Sequence, residues 1–137
     1  MVTLVDSNVL LDLATEDLRW IEWSISALAS ASLAGPLLIN DVVYAEFSGR
    51  YETIEEVEDF LDRAGIELSP LPRQALFLAG KAFGRYRRAG GVRTGVLPDF
   101  FIGAHAAVLA IPLLTRDARR YRTYFPGVEL VTPDLPQ

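Results

Sequence analysis

Short apolar runs that are typical of β-strands alternate with helical segments along this chain, and this alternation constrains the fold more than any other feature. The strand-like runs cover residues 2–5, 37–39, 66–68, 111–114 and 128–131. Helical patterns cover residues 9–13, 18–33, 42–48, 54–64, 72–88 and 99–110, and a short helix follows Asp117. Strands and helices that alternate in this way build a mostly parallel sheet covered by helices on both faces. We therefore predict an α/β fold with a short-stranded sheet.

Local signals place several helix ends. Thr53, with Glu56 three residues later, matches a capping box, which predicts a helix that begins at residue 54 and stops at Gly65. Asn40 or Asp41 is expected to cap the helix over 42–48. Residues 89–98 contain two adjacent glycines and are predicted to form a loop.

Length and composition narrow the class of protein. The chain has 137 residues, which is the size of one domain, and we expect a single domain over residues 1–137. It has no cysteine, so disulfide frameworks, thiol catalysis and thiolate zinc sites are excluded. The longest apolar run, residues 100–114, is too short to span a bilayer, and the N-terminus has no basic region typical of a signal peptide. We expect a cytoplasmic protein without a membrane association.

Charge is distributed unevenly along the chain. Residues 1–67 carry fourteen acidic and three basic side chains, whereas residues 68–137 carry four acidic and ten basic ones. Most of these bases form two groups, namely Lys81, Arg85, Arg87, Arg88 and Arg93, and then Arg116, Arg119, Arg120 and Arg122. An acidic protein with basic segments can bind a nucleic acid locally, although a solvated helix surface explains either group equally well.

Two acidic residues directly follow predicted strands. Asp6 comes after the first strand, and Asp117 comes after the strand over 111–114. Ligands of open parallel sheets bind beyond the carboxyl ends of the strands, which makes both residues candidates for a site. Each of them can instead simply cap the helix that follows.

Two further acids stand beside apolar segments. Glu46 shares a helix face with Val42 and Val43, and a carboxylate in an apolar stripe is costly unless it is paired, protonated or bound to a metal. Asp99 begins a helix that is almost wholly apolar and therefore buried, although an acid at a helix start also favours the helix dipole.

The four acids together suggest a metal site if they converge. Like charges at close range force some carboxylates to be protonated, and a hard divalent cation removes that penalty. Oxygen ligands fit Mg²⁺ or Mn²⁺ better than zinc. Asn8 and Thr115, each two residues from an Asp, are expected to supply neutral oxygens or to hold the acids in place. Such sites perform phosphoryl transfer or hydrolysis with metal-activated water.

Other chemistries have little support in the sequence. His105, the only histidine, lies in the apolar helix with no second histidine, and we interpret it as structural. A serine-hydrolase elbow, a P-loop and a dinucleotide-binding glycine motif are all missing from the sequence.

These residues resemble those of the PIN-domain ribonucleases, and in size the chain is similar to the VapC-type toxins of bacterial toxin–antitoxin pairs. The matching parts are Val-Asp-Ser-Asn at 5–8, the helix with Glu46, the segment 98–106 that begins Pro-Asp-Phe-Phe, and Leu-Leu-Thr-Arg-Asp at 113–117. The resemblance covers essentially the whole chain. In one respect the chain departs from some relatives, which carry a further acid near the last Asp, whereas Ala118 and two arginines follow Asp117 here.

The resemblance implies an endoribonuclease that uses Mg²⁺ or Mn²⁺, that is neutralised by a VapB-like antitoxin and that pairs as a homodimer. It implies a catalytic and metal-binding role for Asp6, Glu46, Asp99 and Asp117, with Asn8 and Thr115 in supporting positions. From the basic groups, we expect the RNA to contact Arg85, Arg88, Arg93, Arg116 and Arg119.

Two alternatives stay open. One is a phosphohydrolase or phospho-acceptor domain with Asp6 as a phosphorylated nucleophile. Such proteins usually have a second acid close to the first and a lysine late in the chain, and here Asn8 stands near Asp6 and the last lysine is Lys81. The other alternative is a non-catalytic PIN-fold binding module, for which the loss of one of the four acids would be the expected sign.

Overall fold

The computed structural model of the chain describes residues 1–93 and 95–133. These residues form five strands, which are β1 (Thr3–Val5), β2 (Leu37–Ile39), β3 (Ile66–Leu68), β4 (Leu113–Leu114) and β5 (Leu130–Val131). They also form seven helices, which are α1 (Ser7–Ala14), α2 (Ile21–Ala34), α3 (Asp41–Ser48), α4 (Ile54–Ala64), α5 (Arg73–Arg88), α6 (Leu97–Leu109) and α7 (Arg119–Tyr124).

The strands form one parallel sheet in the order β3-β2-β1-β4-β5. Leu4 of β1 is in register with Leu38 of β2 on one side and with Leu113 of β4 on the other. The chain runs outward from β1 to β3, then crosses back to β4. Because parallel crossovers are right-handed, this reversal places α1–α4 on one face and α5–α7 on the other. The predicted α/β fold is confirmed, and the strand order reverses between β1 and β4, which is where such sheets bind ligands.

Helix ends follow the expected local chemistry. Thr53 accepts a hydrogen bond from the Glu56 N–H at 3.3 Å, as the capping box predicts, and Gly65 ends α4 with a φ of +68° that suits glycine. Asn40, rather than Asp41, caps α3 by accepting from the Val43 N–H at 3.0 Å.

The core occupies both faces of the sheet, with buried residues from α1–α4 on one face and from α5 and α6 on the other. The strand residues Leu4, Val5 and Leu114 are fully buried, as expected for strands covered on both faces. Six residues of α6 are also buried, and the helix lies so close to its neighbours that a Cβ at Gly103 would stand 2.4 Å from the Phe125 ring. A larger residue at this position would force α6 away from the ring, so Gly103 sets the close packing of α6.

Several boundaries differ from the prediction. The helix expected at residue 99 begins at Leu97, with Pro98 in its first turn, so Asp99 lies within the helix rather than at its cap. The last two strands each have two residues and are shorter than predicted. Thr94, in the predicted loop, and residues 134–137, at the end of the predicted domain, lie outside the described residues. In the described part of the chain, no helix is long and apolar enough to cross a bilayer.

Candidate active site at the carboxyl edge of the sheet

Asp6 lies at the centre of a hydrogen-bond network beyond the end of β1. Its backbone N–H bonds the Leu114 carbonyl at 2.9 Å, which fixes the carboxylate beside the end of β4. The side chain is only 4% exposed. Its Oδ2 accepts from the Tyr121 hydroxyl at 2.8 Å, the Thr115 hydroxyl at 2.9 Å and the Asn8 amide at 3.3 Å. Asp6 precedes α1, but its side chain makes no capping bond, so the capping interpretation is wrong.

Burial raises the pKa of the Asp6 carboxyl above its ordinary value. The hydroxyls of Tyr121 and Thr115 oppose this rise because they donate to the charged form, whereas the charge of Glu46 adds to it. The three donors to Oδ2 hold the carboxylate in one orientation.

Glu46 is joined to the same site through α1. The Ser7 hydroxyl donates to Glu46 Oε1 at 2.8 Å, so the residue after Asp6 links α1 to α3. Val43 and Phe47 form the buried face of α3, and Glu46 is exposed beside them. The expectation that Glu46 lies within an apolar stripe was therefore wrong. Desolvation by the neighbouring side chains, and after it the charge of Asp99, nevertheless raise the pKa of Glu46.

Asp99 lies in the first turn of α6, and its backbone N–H bonds the Val96 carbonyl at 3.0 Å. Its Oδ2 accepts from Arg120 Nη1 at 2.5 Å. Burial, and after it the charge of Asp6, raise the pKa of Asp99 to about 6 in spite of this ion pair. The charge of Asp117 raises it further. A carboxyl with this pKa titrates near neutrality, unlike a simple helix cap.

Asp117 follows β4 and is exposed. Its backbone N–H donates to the Thr115 hydroxyl at 3.1 Å, which places it next to the network around Asp6. Ala118 occupies the cap position of α7, and no side chain caps that helix, so Asp117 is not its cap. The structure thus brings all four predicted acids to the edge where the strand order reverses.

The four acids are not assembled around one point. Within the described residues, no group of three or more Asp, Glu or His side chains is placed to hold a metal ion together. Asp99 is engaged by Arg120, which supplies positive charge in this structure. The donor set still fits a hard divalent cation, because its oxygens are carboxylates and the repulsion among them raises pKa values.

A cleft of about 540 Å³ adjoins the acids. Its lining combines three arginines, two tyrosines and one of the four acids, which are Arg93, Arg119, Arg120, Tyr86, Tyr124 and Asp117, together with Val96 and Thr123. Asp117 and Arg120 connect the cleft to the carboxylates, because Arg120 also bonds Asp99.

The predicted basic residues are dispersed. Arg93 and Arg119 line the cleft, while Arg85 and Arg88 are exposed on α5 and are not among its described lining residues. Arg116 turns away from it, since its Nε and Nη2 donate to both carboxylate oxygens of Asp12 at 2.8 and 3.0 Å. Of the five arginines expected to contact RNA, the structure therefore places Arg93 and Arg119 in the cleft and the other three outside its described lining.

Sequence reasoning missed three contributors to the site, namely Ser7, Arg120 and Tyr121. Ser7 adjoins Asp6 and Arg120 stands in the second basic group, but neither pattern shows which acid the side chain meets. Tyr121 has a weak signal, because it follows Asp117 by one helical turn in a segment otherwise rich in arginine.

His105 has the structural role that the sequence suggested. It is fully buried, and its Nδ1 lies 3.2 Å from Asn40 Nδ2, so it supports the residue that caps α3. Burial lowers the pKa of His105, which keeps the imidazole neutral at neutral pH.

Comparison with known proteins agrees with this architecture. The family model described as the PIN domain matches residues 3–126. A solved structure of VapBC2 from Rickettsia felis, bound to a DNA fragment of the promoter, matches with a TM-score of 0.72 and 16% identity over 96% of this chain and 98% of that one. VapBC-1 from nontypeable Haemophilus influenzae matches with a TM-score of 0.70 and 15% identity over 96% and 98% of the two chains.

A toxin–antitoxin complex from Klebsiella pneumoniae matches with a TM-score of 0.66 and 21% identity over 95% of this chain and 96% of that one. A search among curated proteins finds no match. At these identities the solved structures show a shared fold, whereas the family model covers most of the sequence itself. The chain belongs to the PIN domain family.

Proposed function

We propose that this protein is an endoribonuclease that uses Mg²⁺ or Mn²⁺, and that it acts as a VapC-type toxin in the cytoplasm. The observation that carries the proposal is the set of four acids where the strand order of a PIN domain reverses, next to a cleft lined by arginine and tyrosine. Arginine forks suit phosphate, and tyrosine rings suit the faces of unpaired bases.

The four acids would hold the metal, with Asn8 and Thr115 in support. When bound, a divalent ion lowers the pKa of a water molecule and offsets negative charge on the phosphate. The chain itself orients the carboxylates. Asp6 accepts hydrogen bonds from Tyr121, Thr115 and Asn8, and Glu46 accepts one from Ser7. Both carboxylates are therefore already oriented before substrate binds.

The cleft would bind the RNA backbone. Arg93 and Arg119 are exposed and line it beside Asp117, so a phosphodiester held there lies next to the acids. Arg88, the last residue of α5, and Arg85, about one turn before it, would contact phosphates farther along the strand. Arg116 is bound to Asp12 and contributes to RNA binding only if that pair opens.

A VapB-like antitoxin is the proposed partner, and a homodimer is the proposed assembly. Structural likeness to chains from VapBC complexes supports the antitoxin, and the family resemblance implies the homodimer. A group of carboxylates is a natural receptor for an arginine fork, so we expect the antitoxin to insert a basic side chain or to block metal entry. Its remaining contacts would be apolar, with a helix docked in a groove.

The two alternatives explain less of the geometry. A phosphorylated nucleophile needs access to a phosphate donor, whereas Asp6 is 4% exposed and accepts three hydrogen bonds at one oxygen. A non-catalytic module has no need for acids placed so that the charge of Glu46 raises the pKa of Asp6, and the charges of Asp6 and Asp117 raise that of Asp99.

Cleavage of RNA by the purified full chain tests the proposal. Mg²⁺ or Mn²⁺ should support cleavage and chelator should stop it, while Asp6→Asn and Asp99→Asn should each abolish it. Asp62→Asn, which removes an exposed carboxylate of α4, is the matched control and should cleave like the parent. Cleavage in chelator, or full activity of Asp99→Asn, would contradict the proposal. Sequencing of RNA ends after brief expression would then identify the substrate.

A further inference from the structure

Arg120 stands between the two halves of the candidate site. Its Nη1 bonds Asp99 Oδ2, and the same residue lines the arginine cleft. The pair is only partly buried, with side-chain exposures of 24% for Arg120 and 33% for Asp99. A guanidinium in this position has water and the cleft on one side and a carboxylate on the other.

The backbone that carries Arg120 is held independently of this ion pair. Tyr121, the next residue, is buried and donates its hydroxyl to Asp6 at 2.8 Å. The helix α7 therefore stays attached to the site when the Arg120 side chain moves. An arginine has several rotatable bonds, so its fork can leave Asp99 without displacing α7.

A divalent cation and Arg120 would compete for the same carboxylate. Each neutralises Asp99, and the guanidinium that bonds Oδ2 repels a dication brought to the same carboxylate. Once displaced, the guanidinium stays beside the cleft that it already lines, where Arg93 and Arg119 repel it unless an anion is bound. A phosphodiester there would be the partner that takes its charge.

We infer that Arg120 exchanges between Asp99 and a phosphodiester in the cleft, so that metal binding and RNA binding strengthen each other. This inference rests on the proposed function for its substrate class. It gives Arg120 a positioning role in the metal-free protein and a direct substrate contact in the loaded one. By linkage, whatever factor the metal adds to RNA affinity, RNA must add to metal affinity.

Calorimetric titration of the full chain with Mn²⁺ alone tests the first half without RNA. Arg120→Ala should bind Mn²⁺ about tenfold more tightly than the parent, because the competitor is gone. Arg119→Ala is the matched control, since it removes the same charge from the same cleft without a described contact to Asp99. It should change the affinity by about twofold or less, as expected for a screened, exposed charge.

Binding of a 12-nucleotide 2′-O-methyl oligoribonucleotide, with and without Mn²⁺, tests the second half. Mn²⁺ should raise the affinity of the parent by a larger factor than that of Arg120→Ala. Arg119→Ala should bind more weakly in both conditions and keep the parent's factor. A gel after each titration shows that the oligonucleotide is still intact.

Two outcomes would overturn the exchange of Arg120. Equal Mn²⁺ affinity in the parent and Arg120→Ala overturns the exchange, and so does an equal Mn²⁺-dependent factor for the oligonucleotide. If Arg120→Ala does not fold, Arg120→Gln keeps a donor without the charge, and it must also bind Mn²⁺ more tightly than the parent. Tighter Mn²⁺ binding in a protein that cleaves no RNA would refute the proposed function and leave the competition at Asp99 standing.

Discussion

Two arginines four residues apart, Arg116 and Arg120, form ion pairs of different kinds. Arg116 donates through two nitrogens to Asp12, which is only 2% exposed and also accepts from the Ser24 hydroxyl at 2.8 Å. The Arg116 guanidinium additionally lies 5.4 Å from the centre of the Trp20 ring. Arg120 donates through one nitrogen to a carboxylate that is a third exposed.

The difference shows how one basic segment serves both structure and function. Asp12 lies on α1 and Ser24 on α2, so Arg116 ties the end of β4 to both helices. Breaking a bidentate, buried pair leaves a charge without a partner, which makes the pair an anchor. The Arg120 pair sits among other acids and borders a cleft, so its partner is replaceable.

The largest expected effect comes from breaking the anchor. Asp12→Asn should lower the free energy of unfolding by about 3–5 kcal/mol, because Arg116 then stays partly buried without its counter-charge. Urea denaturation followed by circular dichroism measures this. Asp59→Asn, which breaks the exposed pair with Arg63 at 3.1 Å, is the control and should cost about 0.5 kcal/mol or less. Similar losses in the two variants would contradict the distinction between anchored and exposed pairs.

The second largest effect is expected from metal binding, which should distinguish the region around Arg120 and Asp99 from the rest of the molecule. Mn²⁺ at about a hundred times its dissociation constant should stabilise the parent by about 2.7 kcal/mol, because it binds the folded state alone. Asp99→Asn should gain much less, since it lacks one of the proposed ligands, whereas Asp59→Asn should respond like the parent. Thermal melting with and without Mn²⁺ measures the shift. An equal gain in Asp99→Asn would remove Asp99 from the metal site.

A smaller effect with a defined pH dependence is expected for Asp99 in chelator. Its folded pKa of about 6 lies above the ordinary 3.8, so the folded state binds more protons than the unfolded state between these values. The parent's stability from this group is complete below pH 3.8 and is lost as the pH rises through 6. Asp99→Asn avoids this loss and should be more stable at pH 7.5 by about 1–2 kcal/mol, after allowance for the exposed part of the side chain.

Urea denaturation at pH 4.5, 6 and 7.5 measures the difference in free energy of unfolding between the parent and Asp99→Asn. The comparison isolates Asp99 because Asp6 and Glu46 are present in both proteins. The advantage of Asp99→Asn should grow with pH and level off above the folded pKa. A variant that is less stable than the parent at pH 7.5, or an advantage that does not change with pH, would show that Asp99 acts only at the helix start.

The smallest effect concerns the salt dependence of RNA binding. Arg93→Ala and Arg119→Ala should each lower the slope of log affinity against log salt by about 0.7, the value for one phosphate contact on a single strand. Arg116→Gln, measured at a temperature where it is folded, should leave the slope unchanged because Asp12 holds that guanidinium. Fluorescence anisotropy at four salt concentrations is sufficient. If the slope of log affinity against log salt fell only in Arg116→Gln, Arg116 rather than the cleft arginines would be the phosphate contact.

Much of the fold could be predicted because its signals are local. The capping pair Thr53 and Glu56 is three residues apart, and the apolar runs of β1 and β2 are continuous because both faces of a parallel sheet are covered. The α6 start was misplaced by two residues because Pro98 is favoured inside the first helical turn, not only before it. The positions of Asp6 and Asp117 were also predictable, since Asp6 comes directly after β1 and Asp117 three residues after the end of β4.

The environment of the acids was less predictable. Glu46 was expected within an apolar stripe, but helical spacing sets only which residues share a face, while the packing of α3 decides how far that face extends. The Ser7 bond to Glu46 spans 39 residues and the Tyr121 bond to Asp6 spans 115. Neither pairing has a local pattern.

The sequence by itself determined the succession of strands and helices along the chain, because periodicity acts over a few residues, and its four acidic motifs indicated the family. Only the tertiary structure decided which partner each charged side chain meets. Arg116 finds Asp12 across 104 residues and Arg120 finds Asp99 across 21, although both arginines belong to one basic run. The reason is that the segment after β4 bonds α1 through Asn8 and Asp12 while α7 packs on α6, so a spacing of four residues is enough to direct the two guanidiniums to different carboxylates.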